Sequence, residues 1–116
     1  MSERDLYREH AAAVRRYHRS LERREAIETD EQWKASPRYY EILEVAEIHA
    51  EKMRDEVARL REELKASKKA LDLIYFYAVV EHQKPSYTAK MVGYSERQVF
   101  RLLKLIQDNI REDVSK

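Results

Sequence analysis

Cysteine is absent from this chain, glycine occurs once and proline twice in 116 residues. Without cysteine there is no disulfide, no thiolate zinc site and no redox motif. With Gly93 as the sole glycine, no phosphate-cradling loop can form. Pro37 and Pro85 are the only prolines, so few positions can interrupt a helix. Runs of β-branched residues are missing, and no apolar stretch approaches the ~18 residues of a membrane span. The opening residues, MSERDLYREH, are charged from the third position and lack an apolar signal region. The expectation is a cytoplasmic protein with no membrane partner.

What is present is rich in Glu, Lys, Arg, Ala and Leu, all good helix formers, and the expected fold class is all-α. Charged residues make up 39% of the chain, so much of each helix must face water and only a narrow seam plus one small core can be buried. The net charge of +1 points neither toward nor away from nucleic acid, and a case for DNA must rest on a local patch.

Three segments are expected. Residues 1–35 hold a basic amphipathic helix and a hinge. Leu6, His10, Ala13, Tyr17, Leu21 and Ile27 form an imperfect helical stripe, and Arg15, Arg16, Arg19, Arg23 and Arg24 cluster around one acid, Glu22. That cluster is read either as a solvated helix face or as an arm that contacts phosphates. A hinge at Thr29 and Asp30 precedes a short helical turn carrying Trp33. Residues 36–70 are expected to be a long oligomerising helix opened by Ser36 as N-cap and Pro37 in the first turn. No glycine or proline occurs between Arg38 and Lys84, which permits one helix of about 45 residues, on the order of 70 Å. Along it Tyr39, Leu43, Ala46, Ala50, Met53, Val57, Leu60, Leu64, Ser67, Leu71, Ile74 and Ala78 follow steps of four and three, a heptad pattern. Met53, Val57, Leu60, Leu64, Leu71 and Ile74 are the expected seam of a parallel homodimer, with Glu56 facing Arg61 and Glu63 facing Lys68 across it. The rival arrangement fills the seam with the chain's own N-terminal helix. From Leu71 to Val80 the pattern becomes apolar on every side, which requires cover on every side.

Residues 71–116 are expected to hold a helix-turn-helix. Ala89 is the small residue a close helix crossing needs. Four positions on, Gly93 can take the positive φ of the turn. Ser95 can cap the second helix, and Val92, Val99, Leu102 and Ile106 share one apolar face. The opposite face is polar and cationic. Between residues 82 and 106 stand five cations against one acid, Glu96, a net of +4 that leaves the rest of the chain near −3. In such a motif the first turns of the second helix reach base edges. Glu96, Arg97, Gln98 and Arg101 are the expected base readers, since arginine pairs bidentately with guanine and glutamine with adenine. Lys84, Ser86, Tyr87, Lys90, Ser95 and Lys104 are the expected phosphate contacts. The bland alternative is an αα-corner without DNA.

Gly93-Tyr94-Ser95-Glu96-Arg97-Gln98-Val99-Phe100-Arg101-Leu102 resembles the C-terminal GYSxxxxxRL stretch of the phage transcriptional-activator families RinA and ArpU, themselves similar to region 4 of bacterial sigma factors. With the long charged helix before it, the resemblance spans about residues 37–110. It implies a regulator of late phage genes, acting in the bacterial host on double-stranded DNA, with RNA polymerase as a further partner. Pro85-Ser86-Tyr87 stands where the families often open with an aromatic and an acidic pair, and Thr88 where they carry a larger aliphatic.

The remaining signals are weak. His10, His18, His49 and His82 show no metal-binding spacing, and Glu62–Glu63 belong to a charged helix face. No strained serine turn occurs. No catalysis, cofactor or metal is expected. The runner-up functions are a small-terminase-like DNA-packaging subunit and a coiled-coil adaptor that binds no nucleic acid.

Overall fold

The computed structural model describes residues 4–115. All regular structure among them is helical: α1 (Leu6–Thr29), α2 (Glu31–Lys34), α3 (Tyr39–Lys65), α4 (Ala70–Tyr75), a π-helical segment (Phe76–Val80), α5 (Pro85–Val92) and α6 (Glu96–Ser115). The all-α reading holds. Asp30 caps α2, its carboxyl accepting from the Gln32 N–H at 2.9 Å. The Ser36 hydroxyl accepts from the Arg38 N–H at 3.2 Å in a turn ahead of α3, and the helix itself starts at Tyr39, three residues after the expected N-cap.

The long helix expected through Lys84 is not continuous. It ends at Lys65, and α4 begins at Ala70 with Lys69 extended (φ −80°, ψ 130°). The Ser67 hydroxyl accepts from the Lys69 N–H at 3.1 Å and donates to Asp72 at 2.9 Å. Such local bonds compete with the helical ladder. The apolar stretch after Ala70 gains by the break, because α4 can then lie against α5 and α6. Phe76–Val80 widens to i→i−5 bonding, and the Glu81 N–H bonds the Phe76 carbonyl at 2.9 Å. His82 follows at φ 54°, a left-handed conformation uncommon outside glycine.

The chain forms two compact units. One comprises the described residues up to Ala11 and from Leu60 onward. Its core gathers Tyr7, Leu64, Ile74, Tyr75, Phe76, Ala89, Val99 and Ile106, with Leu71, Leu102 and Leu103 packed against them. The first turns of α1 are fastened into it. The Asp72 side chain is fully buried and accepts from the Tyr7 N–H at 3.1 Å, satisfying a donor that the start of a helix leaves open. Arg8 meets Asp113 through two bonds of 2.9 and 3.0 Å, and Asn109 donates to the Tyr7 hydroxyl at 2.8 Å.

These contacts change the reading of the heptad seam. Leu60, Leu64 and Ile74 are 1%, 0% and 0% exposed within the single chain. Leu71, Met53 and Val57 are half-buried. Three of the four charged residues expected to bridge two copies have intrachain partners instead: Glu56 meets Arg16 at 3.0 Å, Arg61 meets Glu81 at 3.1 Å, and Glu63 lies 3.6 Å from Arg4, while Lys68 is exposed. The 3.5-residue period thus records burial inside the chain, because a helix packed on any neighbour repeats nearly as a coiled coil does.

The second unit, residues 12–59, sets the remainder of α1 antiparallel to α3. Arg16 lies opposite Glu56, while Ser20 and Arg23 share a groove with Ile42, Ala46 and His49. Its buried positions are small: Ala13, Ser20, Ala46 and Ala50, with Ile27 the one large side chain among them.

Candidate nucleic-acid interface

The site is built on the pair α5 and α6. Pro85 stands in the first turn of α5, where a missing N–H costs nothing. Gly93 ends the helix at φ 76°, ψ 27°, and the N–H groups of Gly93 and Tyr94 both bond the Ala89 carbonyl, at 2.9 and 3.0 Å. Three residues then turn the chain into α6. The Ser95 hydroxyl accepts from the Gln98 N–H at 3.2 Å, and the Gln98 side-chain oxygen accepts from the Ser95 N–H at 3.0 Å. This reciprocal pair is a capping box. It satisfies two donors and fixes where α6 starts.

Val99 and Ile106 are fully buried, and Val92 and Leu102 half-buried, so α6 faces the core with its apolar stripe. Ala89, at 5% exposure, occupies the close contact as expected. Thr88 is fully buried with no partner for its hydroxyl, where a larger aliphatic side chain would fill the space without a polar atom.

All ten residues expected to meet DNA are exposed. Arg97, Arg101 and Lys104 fall on one face of α6, opposite Val99 and Ile106, at the spacing that aligns side chains along a helix. Glu96 lies in the first turn. Lys84 precedes α5, and Ser86, Tyr87 and Lys90 lie on it. Tyr87 is braced edge-on by Tyr77, with ring centroids 6.1 Å apart. The ion pairs of α6 lie toward its C-terminal end, Arg8–Asp113 and Arg111–Asp108. The five cations between residues 84 and 104 make no ion pair with another described residue.

Two details depart from the expected set. The Gln98 side chain is held in the capping box, so bidentate pairing with adenine would require that box to open. Phe100, 58% exposed, stands beside Arg97, Arg101 and Lys104 and was absent from the expected contacts. The spacing 97, 100, 101, 104 carried the signal, but a search for polar readers passes over a phenyl ring. An exposed ring there can contact a thymine methyl group.

Among known proteins, no family model, curated protein or solved structure matches the chain. Among the described residues no helix is long and apolar enough to cross a membrane.

Proposed function

We propose that this chain is a sequence-specific DNA-binding regulator of the phage activator type, which lays the first turns of α6 in the major groove. The observation that carries this reading is the presentation of Arg97, Arg101 and Lys104. A left-handed Gly93 and the Ser95–Gln98 box set the helix start, and the cations stand on its exposed face with no acid partner. Arg97 and Arg101 read base edges, Glu96 and Phe100 add discrimination, and Lys84, Ser86, Tyr87, Lys90, Ser95 and Lys104 position the motif on phosphates. Gln98 acts mainly through its cap. The resemblance of residues 93–102 to the RinA and ArpU families supports late phage promoters as the target, with RNA polymerase as partner in the host cytoplasm.

A two-fold DNA site would require paired chains. Leu60, Leu64 and Ile74 are already inside one chain, so pairing has to use another surface.

Selection of a site from random duplex DNA, followed by titration with variants, tests the reading. Arg97→Ala and Arg101→Ala should each weaken specific binding by about 1–3 kcal/mol with helicity unchanged. Lys104→Ala should weaken all sequences alike and lower the salt slope by about one. Wild-type affinity in both arginine variants would remove the assignment of α6 as the recognition helix. Failure of the wild type to bind any duplex in a salt-dependent way would favour the adaptor, and a ring of many copies on DNA would favour the packaging subunit.

A further inference from the structure

The unit formed by residues 12–59 has an open groove between α1 and α3. A cavity of about 550 Å³ lined by Ser20, Arg23, Ile42, Val45 and His49 continues into one of about 340 Å³ that reaches Arg19 and Met53. The two share Ser20, Arg23 and His49 and therefore form one trough. Its floor is aliphatic and its α1 rim is cationic. Val45 and Ile48 are 67% and 46% exposed, large aliphatic side chains left facing water on a stretch of α3, residues 39–59, whose buried residues are Ala46 and Ala50.

The occupant must match both characters. A phosphate backbone offers nothing to the aliphatic floor, and it would lie beside the acidic outer face of α3. There Glu44, Glu47 and Glu51, at i, i+3 and i+7, form an exposed stripe, and no cation occurs between Arg38 and Lys52. A helix carrying exposed aliphatic and acidic side chains fits, and α3 is itself such a helix. The α1 rim is basic, with Arg19 and Arg23 both exposed. A surface with a basic half and an acidic half is self-complementary under a two-fold axis, where residue i meets j and j meets i.

We propose that two copies of the chain pair through this unit, α3 of each lying along the trough of the other. The four helices form a bundle. Val45 and Ile48 close over the floor, and Glu44, Glu47 and Glu51 of one copy meet Arg19 and Arg23 of the other. The inference goes beyond DNA recognition and does not depend on it, because none of these residues belongs to α5 or α6.

Sedimentation of the full chain, free of DNA, tests this with two charge-reversal variants. Wild type should be a dimer at micromolar concentration. R19E/R23E and E44K/E47K should each dimerise at least about tenfold more weakly, since every reversed contact is repeated by symmetry. All four positions are exposed, and unchanged circular dichroism would confirm that each variant folds. An equimolar mixture of the two variants should recover dimers, because one half of the interface then joins the two new charges and the other half keeps the original pairs. A monomeric wild type, a variant that dimerises as tightly as wild type, or a mixture that stays monomeric would each overturn the proposal. If R19E/R23E kept the wild-type dimer but bound duplex DNA more weakly, the trough would be a phosphate arm and the proposal would also fall.

Discussion

The two compact units follow opposite packing rules. The unit around α4 to α6 buries large side chains from several segments. Of the nine largest fully buried side chains, eight lie there, and only Ile27 belongs to residues 12–59. The α1/α3 unit packs alanine and serine and leaves Tyr40, Val45 and Ile48 in water. Buried area scales with side-chain size, so the first unit holds most of the hydrophobic stabilisation of the monomer. The second has its best apolar surface still to bury. A unit that is complete alone suits a rigid platform, as the proposed DNA reading requires, and a unit that is incomplete alone suits assembly.

The largest effect that would sharpen this contrast comes from truncating the core. Ile106→Ala should cost about 2–5 kcal/mol in urea unfolding, through lost burial and the cavity left behind. Val45→Ala, at concentrations too low for pairing, should stay within about 0.5 kcal/mol of wild type. A Val45→Ala loss as large as that of Ile106→Ala would break the comparison.

A smaller effect is expected at the turn. An added Cβ at Gly93 would meet no atom within 4 Å, so the cost of substitution comes from φ 76° alone. Gly93→Val should cost about 1–3 kcal/mol. Gly93→Asn should cost clearly less, because asparagine tolerates the left-handed region. Hydrogen exchange should show protection falling in α5 and α6 of the valine variant while the middle of α3 keeps its own. Equal protection in both helices would mean that Gly93 does not hold this turn.

The smallest effect is a pH dependence confined to the first unit. His10 is 5% exposed, with Nδ1 2.7 Å from the Tyr75 hydroxyl. Burial, aided by the positive charge of Arg61, holds its pKa below the ordinary 6.5. The unfolded chain then takes up a proton that the folded chain resists. The stability associated with neutral His10 is complete above pH 6.5 and is lost as pH falls toward the folded value, by at most about 1.4 kcal/mol per pH unit for one site. Urea midpoints at pH 7 and 5.5 should therefore differ more for wild type than for His10→Gln. The same difference in both would place the titration elsewhere.

What could be read from sequence was local. Glycine scarcity and helix-forming composition indicated helices, and Gly93, Ser95 and Ala89 marked the turn because each meets a requirement set by residues within a few positions of it. The break after Lys65 was not legible. It depends on Ser67 and Asp72, and Asp72 finds its backbone donor at Tyr7, 65 positions away. The seam was visible as a period, but a period names a buried face and not the partner that buries it. Exchange of Glu56, Arg61 and Glu63 between intrachain and interchain partners leaves the pattern unchanged, so charge order could not decide between them. At the proposed DNA face, spacing located the exposed cations, while the Gln98 side chain is held in the capping box, since a glutamine three residues after a serine has two possible partners, a base or a backbone N–H.

The ion pair between Arg8 and Asp113 joins residues 105 positions apart and has a consequence for the order in which the protein is made. A ribosome adds about 5–20 residues per second. The first turn of α1 therefore waits roughly 5–20 s between its own synthesis and that of its partner. During that interval Tyr7 and Leu6 are exposed on a nascent chain whose other core residues emerge piecemeal. The unit around α4 to α6 can close only after α6 has been made, whereas α1 and α3 of the other unit are by then both available. Under the roles proposed above, the pairing surface forms before the reading surface, so two chains made on one messenger can meet before either binds DNA.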